Sequence, residues 1–328
     1  MPFIVRRLMF YLVAAWVALT VNFFIPRAIP GNAVQTVMAK FPNLQPSAYK
    51  ALEALLGVGH PGSIWSQYVS YLDDIFHFNF GTDTSQYPAS VSSLLVQTIP
   101  WTITLVGTAT VIAFLVGTAL GIAAGWRHGG TLDRVLPGLM FLQAIPYFFF
   151  ALILVELLAI KTNVFPSGQG YADGLIPGWH WDFISSAIYH SLLPALTIVL
   201  TSIAGWMLQM RNVMITTIGE DYVIAAQAKG LPSRRVIFTY AARNALLPQL
   251  QGFGLAIGFV VSGALVMEIV FSYPGIGLLL LNAVTSNDFP LMQAIFLVIT
   301  FAVLIANLVV DMIIVLADPR ARTREATS

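Results

Sequence analysis

The sequence predicts an all-α integral membrane protein with six transmembrane helices and with its N and C termini cytoplasmic. Three observations predict this fold class. Hydrophobic residues make up 57% of the 328 positions and charged residues only 9%, against about 25% charged in ordinary soluble domains. Six apolar stretches come close to the roughly 20 residues a helix needs to cross a bilayer. Lys and Arg fall mostly into the loops of one side. A closed barrel is the other way to satisfy backbone groups in lipid. Barrels are built from short alternating segments, and these runs are too long and too continuously apolar.

In chain order the six spans are residues 8–25, 101–126, 135–160, 192–210, 250–271 and 291–316. Gly, Ser and Thr inside several of them suit close helix packing in lipid. The first span follows Arg6 and Arg7, as a signal peptide would. The "IPRAIPGNA" behind it offers no clean small-x-small cleavage site, so it is read as a retained anchor. Residues 26–99 form a long loop with aromatics, prolines and little charge, expected to hold short helices on the membrane surface. Residues 162–190 form a second loop on the same side, rich in Gly, Trp and Asp. No internal repeat or low-complexity tract occurs.

Orientation follows from the basic residues. Of the 16, Arg6, Arg7, Arg127, Arg134, Arg211, Lys229, Arg234, Arg235, Arg243, Arg320, Arg322 and Arg324 fall on one side, and Arg27, Lys40, Lys50 and Lys161 on the other. The richer side is cytoplasmic. The layout is then an N-terminal transmembrane helix (1–27), an extracytoplasmic segment (28–97), a five-helix core (98–317) with a cytoplasmic helix at about 219–231, and a cytoplasmic tail (318–328).

That cytoplasmic helix lies in "EDYVIAAQAKGLPSRRV", residues 220–236. Glu220 and Asp221 fall in its first turn, where negative charge suits the helix dipole. Lys229 falls near its end, Gly230 is a good stop, and Pro232 prevents continuation. Ala226 and Gly230 share a face at i,i+4 with Ala225 beside them. Such a face has little relief and suits close approach by another backbone. The plain reading is a connector between two spans. The functional one is docking into a groove on a cytoplasmic partner.

The residues here resemble a known family. "EDYVIAAQAKGL", followed by "RNALLP" at residues 243–248, is similar to the EAA loop of ABC importer permeases, and more closely to the dipeptide/oligopeptide branch. "FIPRAIPGNAV" (24–34), "FNFGTDTSQYPASVSSLLVQTIPWTITL" (78–105), "EIVFSYPGIGLLLLNAV" (268–284), "NDFPLMQAIFLV" (287–298) and "ANLVVDMIIVLADPRAR" (306–322) resemble that branch in the same order. Two departures stand out. Ile224, Ala225 and Ala226 occupy the place of Glu-Ala-Ala, making Glu220 the acidic member of the loop. The distance from Gly230 to Pro248 exceeds the general spacing.

The resemblance implies a type I ABC importer permease fold in a multi-pass cell inner membrane protein. It implies a second homologous permease, two cytoplasmic ATPase subunits and an extracytoplasmic substrate-binding protein as partners. ATP and Mg would be bound by the ATPases and no cofactor by this chain. Glu220, Asp221, Tyr222, Ala225, Ala226, Lys229, Gly230 and Leu231 are its ATPase-coupling candidates. The branch also contains importers of oligosaccharides and of nickel; peptides are favoured by branch, oligosaccharides come close behind, and nickel is disfavoured because no His/carboxylate cluster appears in the spans.

Other chemistry finds little support in the sequence. There are no cysteines, which excludes disulfides and thiolate sites. None of the four lysines stands in a P-loop, and no Gly-x-Ser-x-Gly or His-Glu-x-x-His occurs. His60, His77, His128, His180 and His190 are scattered over loops. Glu156, Glu268 and Asp311 lie in or near spans, where charge is costly and marks a site by default. A proton-coupled secondary transporter would use them as a pathway. Interhelical hydrogen bonding is the alternative. Glu268 precedes a turn made by Pro274, Gly275 and Gly277, where it could pair with freed backbone N–H groups, so a structural or gating acid is expected there. Trp206, Gln209 and Met210 are path candidates by polarity and size, with packing as the competing role. Nothing points to a nucleic acid.

The charge asymmetry makes a labelling prediction. A cysteine introduced at Ser66 or Ser85 is expected to react with an impermeant thiol reagent in intact cells with a permeabilised outer membrane, and one at Ser233 is not. The native chain contributes no background thiol. Labelling only at Ser233 would invert the orientation.

Overall fold

The computed structural model describes residues 3–28, 63–83, 89–258, 260 and 265–317. The described chain is helical, and its extended pairing is confined to an isolated antiparallel bridge between Thr82 and Ser90. The segments at 29–62, 84–88 and 318–328 and the middle of the expected fifth span (259 and 261–264) lie outside the described residues.

Helix α1 is Phe3–Ala28 and α2 is Ile64–Phe76. Ser63 starts α2 as its N-cap, its side chain accepting the Ser66 N–H at 3.3 Å. Tyr68 of α2 packs edge-on against Phe23 of α1 and shares a 2.8 Å hydrogen bond with Thr20. The described part of the long loop is thus seated on one end of α1. Helix α3, Val91–Trp126, begins on a second serine cap, Ser90, whose side chain accepts the Ser93 N–H. It carries Pro100 and then a π-turn at Ile103–Gly107. Proline lacks the N–H that the regular ladder needs, and the wider turn follows directly after it.

The expected third span is not one straight helix. It is α4, Thr131–Ala144, and α5, Tyr147–Lys161, bent by 96°. The cause is Pro146, which forces Ile145 out of the helical region, to φ −75° and ψ 126°. Helix α6, Trp181–Ile218, has 38 residues, about 57 Å at 1.5 Å per residue. That is far longer than a hydrocarbon core of about 30 Å, so the 192–210 span is only its middle. His180 caps its start, Nδ1 accepting the Phe183 N–H at 3.3 Å. Helix α7 is Asp221–Ala228. Helix α8 covers residues 233–258, with a π-turn at Val236–Ala241 and Pro248 inside. Helix α9 is Leu265–Val270, α10 is Ile276–Ser286 and α11 is Phe289–Ala317. Asn287, at φ 56°, ends α10, and the Asp288 carboxylate starts α11 by accepting the Leu291 N–H at 3.0 Å.

By length and composition α1, α3, α6 and α11 can each cross a membrane, and the bent α4–α5 pair makes a fifth candidate. The centre of the bundle is the parallel pair α3–α6. Gly117, Gly121 and Gly125 of α3 lie against Trp206, Met210 and Met214 of α6, one glycine to each side chain. A Cβ built on Gly121 would stand 2.6 Å from the Met210 Cβ and 2.7 Å from the Met207 carbonyl oxygen. Helix α8 joins this pair through Gln249, whose amide donates to Thr118 of α3 at 3.2 Å and to the Trp206 carbonyl of α6 at 3.0 Å. Phe253 of α8 stacks on Phe114 of α3 with centroids 4.1 Å apart.

The terminal helices α1 and α11 run antiparallel. Arg7 and Tyr11 both meet Asp311, Tyr11 donating at 2.6 Å. Asn22 and Gln293 exchange side-chain-to-carbonyl hydrogen bonds of 3.0 and 2.9 Å further along. The start of α1 therefore lies beside the far part of α11. Val91 and Leu95 of α3, Ile276 and Leu279 of α10, and Leu291 and Ile295 of α11 make a core at the opposite end of the bundle.

Overpacking a helix interface destabilises by about 1–3 kcal/mol or more. Gly121→Val is accordingly expected to lower the unfolding free energy by about 2 kcal/mol or more in detergent. Gly138→Ala, where a Cβ meets nothing within 4 Å, is expected to stay within about 0.5 kcal/mol of the native chain. Equal stability of the two variants would remove the glycine ladder as a determinant of the bundle.

Candidate coupling helix and buried acid

Helix α7 is shorter than the expected 219–231. Gly219 is the last residue of the α6 turn, Glu220 is an extended N-cap, and Lys229 already caps the end. Gly230 has φ +71° and open space around its Cα, the left-handed position that glycine takes at a helix C-terminus. Leu231 follows half-buried, its N–H donating to the Ala226 carbonyl at 3.4 Å.

The expected small-residue face is divided. Ala226 is buried, together with Val223, against Met210, Met214, Val236, Ala241, Ala242 and Ala245. Its small side chain serves the approach of α7 to the chain's own α6 and α8 and is not free for a partner. The outward side consists of Tyr222, Ile224, Ala225, Gln227 and Ala228, with Glu220, Asp221 and Lys229 also exposed. Among the described residues these three charged groups form no ion pair. What is presented outward is a short helix with a mixed apolar and charged surface, seated on an alanine-rich socket. Beside it, Asp133 at the start of α4 is held by Arg211 of α6 through both Nε and Nη2, the latter at 3.0 Å, and accepts the Gly129 N–H at 2.9 Å. This pair ties the α3–α4 loop to α6 just before α7 begins.

The path candidates separate. Met210 is fully buried as the knob over Gly121, a packing position. Trp206 is half-buried, its ring edge-on to Phe114 at 5.3 Å and to Phe253 at 6.3 Å. Gln209 is exposed, and its amide lies over Gly252 of α8. The three acids do not converge either. Glu156 is exposed on α5, 3.6 Å from Lys161. Asp311 is spent on Arg7 and Tyr11.

Glu268 is different, at 1% exposure. Its Oε1 accepts the Thr102 hydroxyl of α3 at 2.6 Å, and its Oε2 accepts the Gly277 N–H of α10 at 2.6 Å. The Thr102 Oγ in turn accepts the Ile276 N–H at 2.9 Å. The first N–H groups of α10, which have no partner within their own helix, are thus satisfied by a carboxylate from α9 and a hydroxyl from α3. A Cβ on Gly275 would strike the Glu268 carboxyl, and one on Gly277 would strike the backbone of Leu265. Both glycines are space requirements of this turn. Sequence reasoning found Glu268 and the turn but missed Thr102, whose partner stands 166 positions away. It also missed the Asp133–Arg211 pair.

The described residues, with several membrane-length helices packed closely through glycines and a short exposed helix at one end, have the architecture of a helical membrane protein. Residues 117–323 match the model of a family described as "Binding-protein-dependent transport system inner membrane component", and the chain belongs to that family. It is 30% identical to the dipeptide transport system permease protein DppB of Escherichia coli (strain K12), over 99% of this chain and 100% of that one. It is 30% identical to the di/tripeptide transport system permease protein DppB of Pseudomonas aeruginosa (strain UCBPP-PA14), over 98% and 99%. It is 28% identical to the oligopeptide transport system permease protein AppB of Bacillus subtilis (strain 168), over 97% and 98%.

Gly277→Ala keeps the backbone N–H but drives a Cβ into the Leu265 backbone, so the turn has to shift and its hydrogen bond to the Glu268 carboxylate is stretched. It is expected to destabilise the protein by about 2–5 kcal/mol, read as a lowered unfolding midpoint. A midpoint equal to that of the native chain would mean that α10 is not held in this way.

Proposed function

We propose that this chain is the transmembrane permease subunit of an ATP-driven, binding-protein-dependent importer of dipeptides or oligopeptides. The observation that carries the proposal is the near-complete coverage by relatives named as peptide permeases. In this role the chain binds no nucleotide. It works with a second homologous permease, two cytoplasmic ATPase subunits that bind ATP and Mg, and an extracytoplasmic binding protein, in a cell inner membrane.

The proposal includes six spans with both termini cytoplasmic. It keeps the layout of an N-terminal helix to residue 27, an extracytoplasmic segment to 97, a core to 317 and a tail to 328. The antiparallel α1–α11 pair, joined at Arg7 and Asp311, supports termini on one side, and the basic loops support the cytoplasm as that side. Helix α7 is the coupling element. Its seat is rigid because Val223 and Ala226 are packed into the bundle, so a push on α7 is carried to α6 and α8. The contacting surface is Tyr222, Ile224 and Ala225, bordered by Glu220, Asp221 and Lys229, with Gly230 and Leu231 shaping the exit. Trp206 and Gln209 keep their place as path candidates. The separation of Glu156, Glu268 and Asp311 disfavours the proton-coupled alternative, because a proton relay needs groups within hydrogen-bond reach of one another or of shared water.

Substitution on the two sides of α7 tests the coupling. Ala225→Trp is expected to assemble with its partners but to lower ATP-driven peptide uptake in proteoliposomes by about tenfold or more, since displacements near 1 Å matter in a packed site. Ala226→Trp, facing the buried socket, is expected to fail in assembly. Native uptake by Ala225→Trp would remove the docking role. Uptake by the native complex that follows a proton gradient and not ATP would remove the importer proposal itself.

A further inference from the structure

Thr102 stands where four segments of the chain meet. Its oxygen donates to Glu268 and accepts from Ile276, and it is 1% exposed. Its neighbour Trp101 packs edge-on against Tyr273 at 5.6 Å and stacks on Tyr171 of the 162–180 loop at 5.8 Å. Gln169 of that loop donates its N–H to the Phe271 carbonyl at 2.7 Å. Helix α3, the α9–α10 turn, α10 itself and the loop before α6 are therefore joined around one residue.

Two features make this more than a helix cap. A local Ser, Thr, Asp or Asn would satisfy the start of α10 from its own chain neighbourhood. Here the N-cap is Gly275, which has no side chain to offer, and the acceptors come from two other helices. Helix α10 cannot leave its seat without breaking bonds to both. Second, α3 is loosened on either side of Thr102. Pro100 removes one donor two residues before, and the Ile103–Gly107 π-turn begins one residue after. π-Turns inside α-helices recur at functional sites, and interrupted ladders are where helices bend.

We propose that Thr102 is a positioning residue which, through Glu268, makes α10 and its turn move as one body with the outer end of α3, with residues 100–107 as the bending point. Its role in transport rests on the importer reading. Thr102 touches no substrate, since its hydroxyl is buried and used in both directions. Its side chain holds the Glu268 carboxylate in line with the Gly277 N–H and itself accepts the Ile276 N–H. Without it, a buried carboxylate loses one of its two hydrogen bonds and α10 loses an acceptor at its first turn. The α9–α10 turn is then held to α3 only through packing, with Val91 and Leu95 against Ile276 and Leu279.

The test uses the complete transporter in lipid, with its partner subunits. Thr102→Val keeps the shape and removes the hydroxyl, and Thr102→Ser restores it. Hydrogen exchange at the Ile276 and Gly277 amides is expected to accelerate about tenfold or more in Thr102→Val, the scale of losing one partner of a buried hydrogen bond, and to stay native in Thr102→Ser. Uptake per ATP hydrolysed is expected to fall about fivefold or more in Thr102→Val and to recover in Thr102→Ser, with unstimulated hydrolysis unchanged. Native exchange in Thr102→Val overturns the joint. Fast exchange with native uptake per ATP overturns its role in positioning. If Thr102→Val does not assemble, Glu268→Gln is read by the same two measurements. A native complex without ATP-driven uptake overturns the importer reading and the transport role built on it, while the exchange arm still decides whether the joint exists.

Discussion

The closeness of α3 to α6 is the constraint from which most of the bundle follows. Between helices in lipid there is no gain from hiding apolar surface, because the lipid is as apolar as the side chains. What holds two helices together is the number of atoms in van der Waals contact, and that depends on how near the axes come. Gly117, Gly121 and Gly125 remove the side chains that would hold α3 away, and Trp206, Met210 and Met214 fill the space they leave. With that distance set, Gln249 of α8 can reach Thr118 on one helix and the Trp206 carbonyl on the other with a single amide. Met210 and Met214 then extend the same contact to the floor on which α7 sits.

The two ends of the bundle use charge in different ways. At the α7 end, Asp133 and Arg211 face each other across the α3–α4 loop and α6, with a carboxylate that also takes the Gly129 N–H. Between the terminal helices, Arg7 and Tyr11 share Asp311. At the opposite end Glu268 has no cation beside it among the described residues and is satisfied by a hydroxyl and a backbone N–H. A buried carboxylate without a counter-ion is tolerated only with such donors. It demands a fixed geometry of the turn around it, which is why Gly275 and Gly277 admit no side chain. Charge serves as fastening in each place, and among the described residues it forms no chain of titratable groups through the bundle.

Small residues in α7 illustrate how a pattern can be right in composition and wrong in direction. Alanines and a glycine close together do mark a close approach. Ala226 makes that approach to the chain's own α8, while Ala225 and Ala228 face outward beside the more protruding Tyr222 and Ile224. An i,i+4 spacing states which residues share a side of a helix. It does not state which side meets the rest of the protein, because an eight-residue helix has too few positions for its apolar pattern to set its rotation.

The sequence by itself determined that this is a helical membrane protein, where most of its membrane-length helices lie, the asymmetry of its basic loops and the family to which it belongs. Each of these depends on composition or on local pattern: apolar runs near 20 residues, Lys and Arg at their ends, and ordered stretches such as "EIVFSYPGIG". The four-residue spacing of Gly117, Gly121 and Gly125 was also open to view, though not its partners on α6. Only the tertiary structure decided that residues 135–160 bend at Pro146, that Met210 is a packing knob, that Ala226 faces inward and that Thr102 serves Glu268. The physical reason is common to all four. A proline bends a helix only as far as its neighbours allow, and a side chain's role is set by what lies opposite it. For Thr102 that partner is 166 positions away in the chain, beyond the reach of any local pattern.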